Sequence, residues 1–133
     1  MKNLLFVVLF LLVVNLNASN ELIRTSGNYL SPNGKSKVAV LDDRKDVVII
    51  FSFVGPDLRV TSIEHKFDSG KKWACFISDE MTLWVYKGGD RVVSSTIVAK
   101  SGAALEFSAL NGVFDVKSDR NLIPKILIEF IER

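Results

Sequence analysis

His65 is the only histidine in the chain, and it stands between Glu64 and Lys66. An imidazole titrates close to neutrality and is the side chain most often used as a general acid or base. It works only beside a nucleophile or a second acid, and folding has to supply that neighbour. The sequence contains no Gly-x-Ser-x-Gly elbow, no His-Glu-x-x-His segment and no glycine-rich phosphate cradle. A half-buried or edge position on a strand accounts for His65 without catalysis. Cys75, the only cysteine, lies in Trp73-Ala74-Cys75-Phe76-Ile77. A nucleophilic thiolate needs a base or positive surroundings. Lys71 and Lys72 are near in sequence, but the apolar neighbours predict a core thiol. One His and one Cys complete none of the usual zinc ligand sets, so neither a metal nor a cofactor is expected.

The carboxylates cluster in turns. Asp42, Asp43 and Asp46 are interleaved with Arg44 and Lys45 and lack the Asp-x-Asp-x-Asp-Gly order of a calcium loop. They read as a solvated hairpin, and Asp79-Glu80 reads similarly. A carboxylate pair across a cleft can hydrolyse a glycoside, but nearly every fold offers such pairs. The more distinctive side chains are Trp73, Trp84 and Tyr86, which combine large contact area with a polar atom and so suit recognition. The competing reading is a structural aromatic cluster.

Positioning these residues falls to short strands. Runs rich in Val, Ile, Phe and Thr alternate with clusters of Gly, Asp, Asn, Ser or Pro, the pattern of strands and tight turns. Strands are expected over 23–30, 37–41, 47–54, 58–67, 73–78, 82–87, 91–99, 103–110 and 113–116. Turns are expected at Ser31-Pro32-Asn33-Gly34, Gly55-Pro56-Asp57, Asp68-Ser69-Gly70, Gly88-Gly89-Asp90, Ser101-Gly102 and Asn111-Gly112, where Pro presets φ and Asn or Gly accepts positive φ. Such short links leave no room for crossover helices, so the sheet should be mainly antiparallel. The turn at 31–35 and the strand at 82–86 followed by Gly88-Gly89 resemble pieces of β-propeller blades. A closed propeller takes at least about four blades, more than this chain supplies, and no family is assigned.

Alternation assigns faces. Met81, Leu83 and Val85 share one side of their strand, while Thr82, Trp84 and Tyr86 share the other, either as a second packed face or as an exposed platform. In 47–54 both parities are apolar apart from Ser52, which implies a strand covered on both sides. The natural cover is the C-terminal segment. Ile123, Ile126, Leu127, Phe130 and Ile131 recur at helical spacing, opposite Lys125, Glu129 and Glu132, with Pro124 suited to the first turn. Ile126, Ile128 and Phe130 also alternate, so a final strand is the rival, but the longer periodicity favours a helix.

The first residues read as an address. Lys2, an apolar run from Leu4 to Val14 and then Asn15-Leu16-Asn17-Ala18-Ser19 give the charged, apolar and small-polar order of a signal peptide. Cleavage is expected after Ala18, or within a residue or two because Leu16 is bulky for its place. The run is shorter than the roughly 20 residues that span a bilayer, and no cysteine near the cut invites acylation. Roughly 115 residues then remain, enough for one core and too few for two comfortable domains. A lone cysteine forms no internal disulfide, so packing must supply stability. The chain carries 17 basic and 15 acidic residues without a dense basic run, which argues against nucleic acid or an anionic membrane as partner.

These features predict a signal peptide over 1–18 and a mainly β domain over 19–133. That domain should be a single small antiparallel β-sheet domain, curved into an open barrel or folded as a sandwich, with a C-terminal helix packed on it. The expected role is non-enzymatic recognition of a protein or other ligand outside the cytoplasm, through the sheet surface. Two alternatives stay open, a small secreted hydrolase using His65 or carboxylates, and an assembly subunit pairing through an edge strand.

Overall fold

The computed structural model describes residues 21–56, 58–78, 81–99 and 107–133. The signal segment, Asp57, Asp79-Glu80 and the Ser101-Gly102 turn lie outside the described residues.

The chain forms two four-stranded antiparallel meanders in sequence order. The first holds β1 (Gly27–Leu30), β2 (Ser36–Asp42), β3 (Asp46–Val54) and β4 (Val60–Asp68). The second holds β5 (Ala74–Ile77), β6 (Thr82–Tyr86), β7 (Arg91–Ala99) and β8 (Phe107–Asp115). Among the described residues no barrel closes, and the strands form two antiparallel sheets. A 3-10 turn over Arg120–Leu122 leads into α1 (Lys125–Ile131).

Turn chemistry sets the register. At the first hairpin Gly34 adopts φ 72°, and the Ser31 hydroxyl donates to Asn33 Oδ1 at 2.6 Å while accepting from the Ser36 N–H at 3.1 Å. The charged turn between β2 and β3 is held by its carboxylates. Asp42 Oδ1 accepts from the Arg44 N–H at 2.9 Å, and Asp43 Oδ1 accepts from the N–H groups of Lys45 and Asp46 at 2.9 and 2.7 Å. These bonds hold the Asp43 carboxyl below the usual carboxylate range.

Asn111-Gly112, expected as a turn, instead runs through the middle of β8, where Gly112 pairs with Ser94. A Cβ at Gly112 would stand 2.9 Å from Ser94 Oγ and 3.0 Å from the Phe114 ring. Glycine is placed there for the close approach of its neighbours, not for positive φ. The described part of the strand expected over 103–110, from Phe107 on, therefore continues into the strand expected over 113–116.

Period-two alternation divides each sheet into an inward and an outward set. Inward residues of both sheets share one core, with Val38, Val47, Ile49, Phe51, Leu83, Val85 and Cys75 fully enclosed. Aromatic contacts tie its two ends: Phe53 meets Phe107 at 4.6 Å, and Phe67 meets Trp73 edge-on at 6.0 Å. Upstream, Ile23 exchanges two backbone hydrogen bonds with Cys75, at 2.8 and 2.9 Å, and so covers the free edge of β5.

The outward faces differ. On the second sheet, Ala74, Tyr86 and Val92 are buried against Ile123, Leu127, Ile128 and Phe130. The C-terminal segment is thus helical and packs on a sheet, as periodicity implies. Two details depart from expectation. Pro124 is the N-cap and not a member of the first turn, and the buried stripe includes Ile128 while Ile126 is only half-buried. The larger departure is which sheet the helix covers. It lies on the second, so the outward side of β3 has no cover among the described residues, and Ile50 and Val54 are 41% and 52% exposed.

Candidate functional site

His65 lies on the inward face of edge strand β4, whose inward residues are half-buried and whose outward residues are exposed. Its Nε2 stands 3.1 Å from the Ser95 hydroxyl on β7, and Ser95 Oγ donates to Asn111 Oδ1 on β8 at 3.0 Å. Ser95 is completely buried. A serine, a histidine and an amide in line invite comparison with a hydrolytic triad, but the proton inventory runs the other way. The single hydroxyl proton goes to Asn111, so Ser95 receives its second bond from His65 Nε2–H. A nucleophilic serine needs the reverse, with the imidazole accepting. Desolvation and the Lys87 charge lower the His65 pKa, keeping the ring neutral and suited to donating this bond. The trio is a polar tie between the sheets.

Cys75 is fully buried, and desolvation pushes its thiol far above the ordinary thiol range. Among the described residues its side chain has no ionisable neighbour that shifts it the other way, so it packs as a small apolar group. The carboxylates Asp42 and Asp43 are spent on turn amides, and Asp46 faces Lys66 at 3.9 Å. Among the described residues no three His, Cys, Asp or Glu side chains converge as a metal site.

Trp73, Trp84 and Tyr86 are not brought onto one surface. Trp73 is 8% exposed in the shared core, at the Phe67 end. Tyr86 is 6% exposed beneath α1, edge-on to Phe130 at 6.5 Å, and its hydroxyl donates to the Gly89 carbonyl at 3.1 Å. Trp84 lies on the same outward face as Tyr86, half-buried against Phe114 at 5.1 Å. Only Trp84 of the three offers contact area to solvent. Phe130, on which Tyr86 rests, also carries Arg24 and Lys72 over its ring at 4.8 and 4.7 Å. The helix is thereby fastened by cation–π contacts as well as burial.

The surface that sequence reading passed over is the outward face of β2 and β3. Leu41 pairs with Val48, and Ala39 with Ile50, so four apolar side chains sit together on the two central strands of the first sheet. Leu41 is 60% exposed. Lys66 and Glu64 on β4 border the strip. Its signal was present in the doubly apolar 47–54 run, but that parity was allotted to a covering helix.

No protein-family model matches the chain, and no curated protein or solved structure is found similar to it. Among the described residues no helix is long and apolar enough to cross a membrane.

Proposed function

We propose that this chain is an exported, non-enzymatic binding domain that recognises a partner protein through the outward face of its first sheet. The observation that carries the reading is the contrast between the two outward faces. One has Ala74, Tyr86 and Val92 buried under α1, while the other presents Leu41, Val48 and Ile50 on central strands with nothing over them among the described residues. Apolar side chains grouped on a sheet face and rimmed by charge mark interaction surfaces. The wiring of His65, Ser95 and Asn111 supports a binding role over hydrolysis, because the hydroxyl that would attack is buried and its proton is already given to an amide. Export rests on the charged, apolar and small-polar order of residues 1–18.

The test is capture from the exported fraction with the wild-type protein and a Leu41→Asp/Ile50→Asp variant side by side. The expected result is one enriched protein that the variant fails to hold, on a bait whose mature N-terminus lies near Ser19. Equal capture by both baits would remove the outward face from the function, and turnover of a co-purified substrate would move the protein to another class.

A further inference from the structure

Of the eight large apolar side chains left exposed among the described residues, four share the outward face of the first sheet: Leu41, Ile50, Val54 and Val60, at 60%, 41%, 52% and 63%. Side chains exposed to that degree give on the order of a few hundred Å² of apolar surface, as much as a free monomer usually shows in one patch. Two such faces joined, with the polar residues beside them, reach the roughly 1,000 Å² that a specific interface needs. The area fits a partner that brings an equal area of its own.

The register makes the face complementary to itself. On the two central strands Leu41 stands opposite Val48, Ala39 opposite Ile50 and Lys37 opposite Ser52. A two-fold axis parallel to the strands, running above the boundary of β2 and β3, lays β2 of one copy on β3 of the other and keeps every residue at its level. At the centre of the contact Leu41 then meets Val48 and the small Ala39 meets the larger Ile50, each pair occurring twice. Packed sheets settle within about 30° of alignment, so the pairs at the centre persist under the twist. Charge does not oppose the arrangement. Lys37 comes over Ser52, and Glu64, in the row of Ile50, comes over Asn28, in the row of Ala39. Asp46 faces Lys66 within its own copy at 3.9 Å.

We infer that the occupant of this face is a second copy of the chain, joined to the first through the outward sides of β2 and β3 in a two-fold dimer. The inference rests on the reading of that face as a protein-binding surface and names its partner. Each copy buries what the other leaves open, and the two first sheets become the middle layers of a four-sheet stack.

Sedimentation equilibrium of the protein purified from the exported fraction, across the micromolar range, tests this. The mass should rise with concentration to twice that of the monomer. Ile50→Asp and Ala39→Lys should each weaken association at least about tenfold. Mixed in equal amounts, the two variants should associate more tightly than either does alone, because the lysine at 39 on one copy faces the aspartate at 50 on the other. Leu41→Lys mixed with Val48→Asp gives a second such pair if circular dichroism shows that Ala39→Lys does not fold. Leu110→Asp, on a side chain 62% exposed on the second sheet, should dimerise like wild type. A wild-type mass that stays monomeric throughout would overturn the inference and leave the protein-binding reading to the capture experiment, where a different protein lost with Leu41→Asp/Ile50→Asp would be the occupant. A dimer that survives Ile50→Asp, a dimer lost in Leu110→Asp, or folded variants that stay monomeric when mixed would each overturn it as well.

Discussion

The His65–Ser95–Asn111 tie couples an inter-sheet contact to proton concentration. Because burial lowers the His65 pKa, the unfolded chain takes up a proton near pH 6.5 that the folded chain still refuses. The contribution of the neutral ring is therefore complete above about pH 6.5 and is lost as pH falls from there through the folded pKa. Urea midpoints should decline between pH 8 and pH 5.5 in the wild type, and His65→Gln should flatten that part of the decline. A variant that tracks the wild type at every pH would show that His65 is not the group responsible. Cys75 gives a second residue-scale expectation. With its thiol buried and its ionisation suppressed, it should resist a thiol reagent in the folded protein and label rapidly in denaturant. Rapid native-state labelling would contradict the packing. The Cys75 environment was legible from its Trp, Phe and Ile neighbours. The partners of His65 were not, because Ser95 and Asn111 lie 30 and 46 positions away in sequence, and no local pattern announces which strands stack.

Among the elements, the hairpins were the most legible, since their turns are written in residue types with specific backbone preferences. The expected strand over 91–99 coincides with β7, and that over 47–54 differs from β3 by one residue. Asn111-Gly112 shows where this reasoning fails. The same dipeptide that favours a turn also serves inside a strand when Ser94 and Phe114 crowd the backbone, and only tertiary contacts distinguish the cases. Helical periodicity found α1, but it could not say which of two sheets the helix would cover. The burial pattern makes the helix testable. Phe130 is 3% exposed and Glu129 points to solvent. Phe130→Asp should cost at least about 3–5 kcal/mol, through lost packing and a buried unpaired charge, whereas Glu129→Ala should stay within about 0.5 kcal/mol. Urea unfolding of the two proteins measures both, and equal midpoints would remove the helix from the core.

On the scale of the whole molecule, the two meanders are alike in strand number and order but not in cover, and that asymmetry assigns different work to their outward faces. Each sheet needs its inward residues, because they meet in one core. Among the described residues only the second also buries part of its outward side, at Ala74, Tyr86 and Val92, under a helix tethered by burial and by Lys72, which lies over the Phe130 ring and donates to the Ile131 carbonyl at 3.4 Å. A charge on the outward face of the first sheet should therefore be tolerated where the same charge on the second is not. Leu41→Asp and Ile50→Asp each replace a side chain already 60% or 41% exposed, so each should shift stability by no more than about 0.5–1 kcal/mol. Leu127→Asp, on a side chain with no exposure, removes packing worth about 2–5 kcal/mol and adds an unpaired buried charge. A typical domain has only about 5–15 kcal/mol in total, so this protein should be largely unfolded or aggregated. Circular dichroism and urea titration of the three variants give the answer directly. If Ile50→Asp collapses the fold as Leu127→Asp does, the outward face of β3 is a covered core surface and is not free to meet a partner.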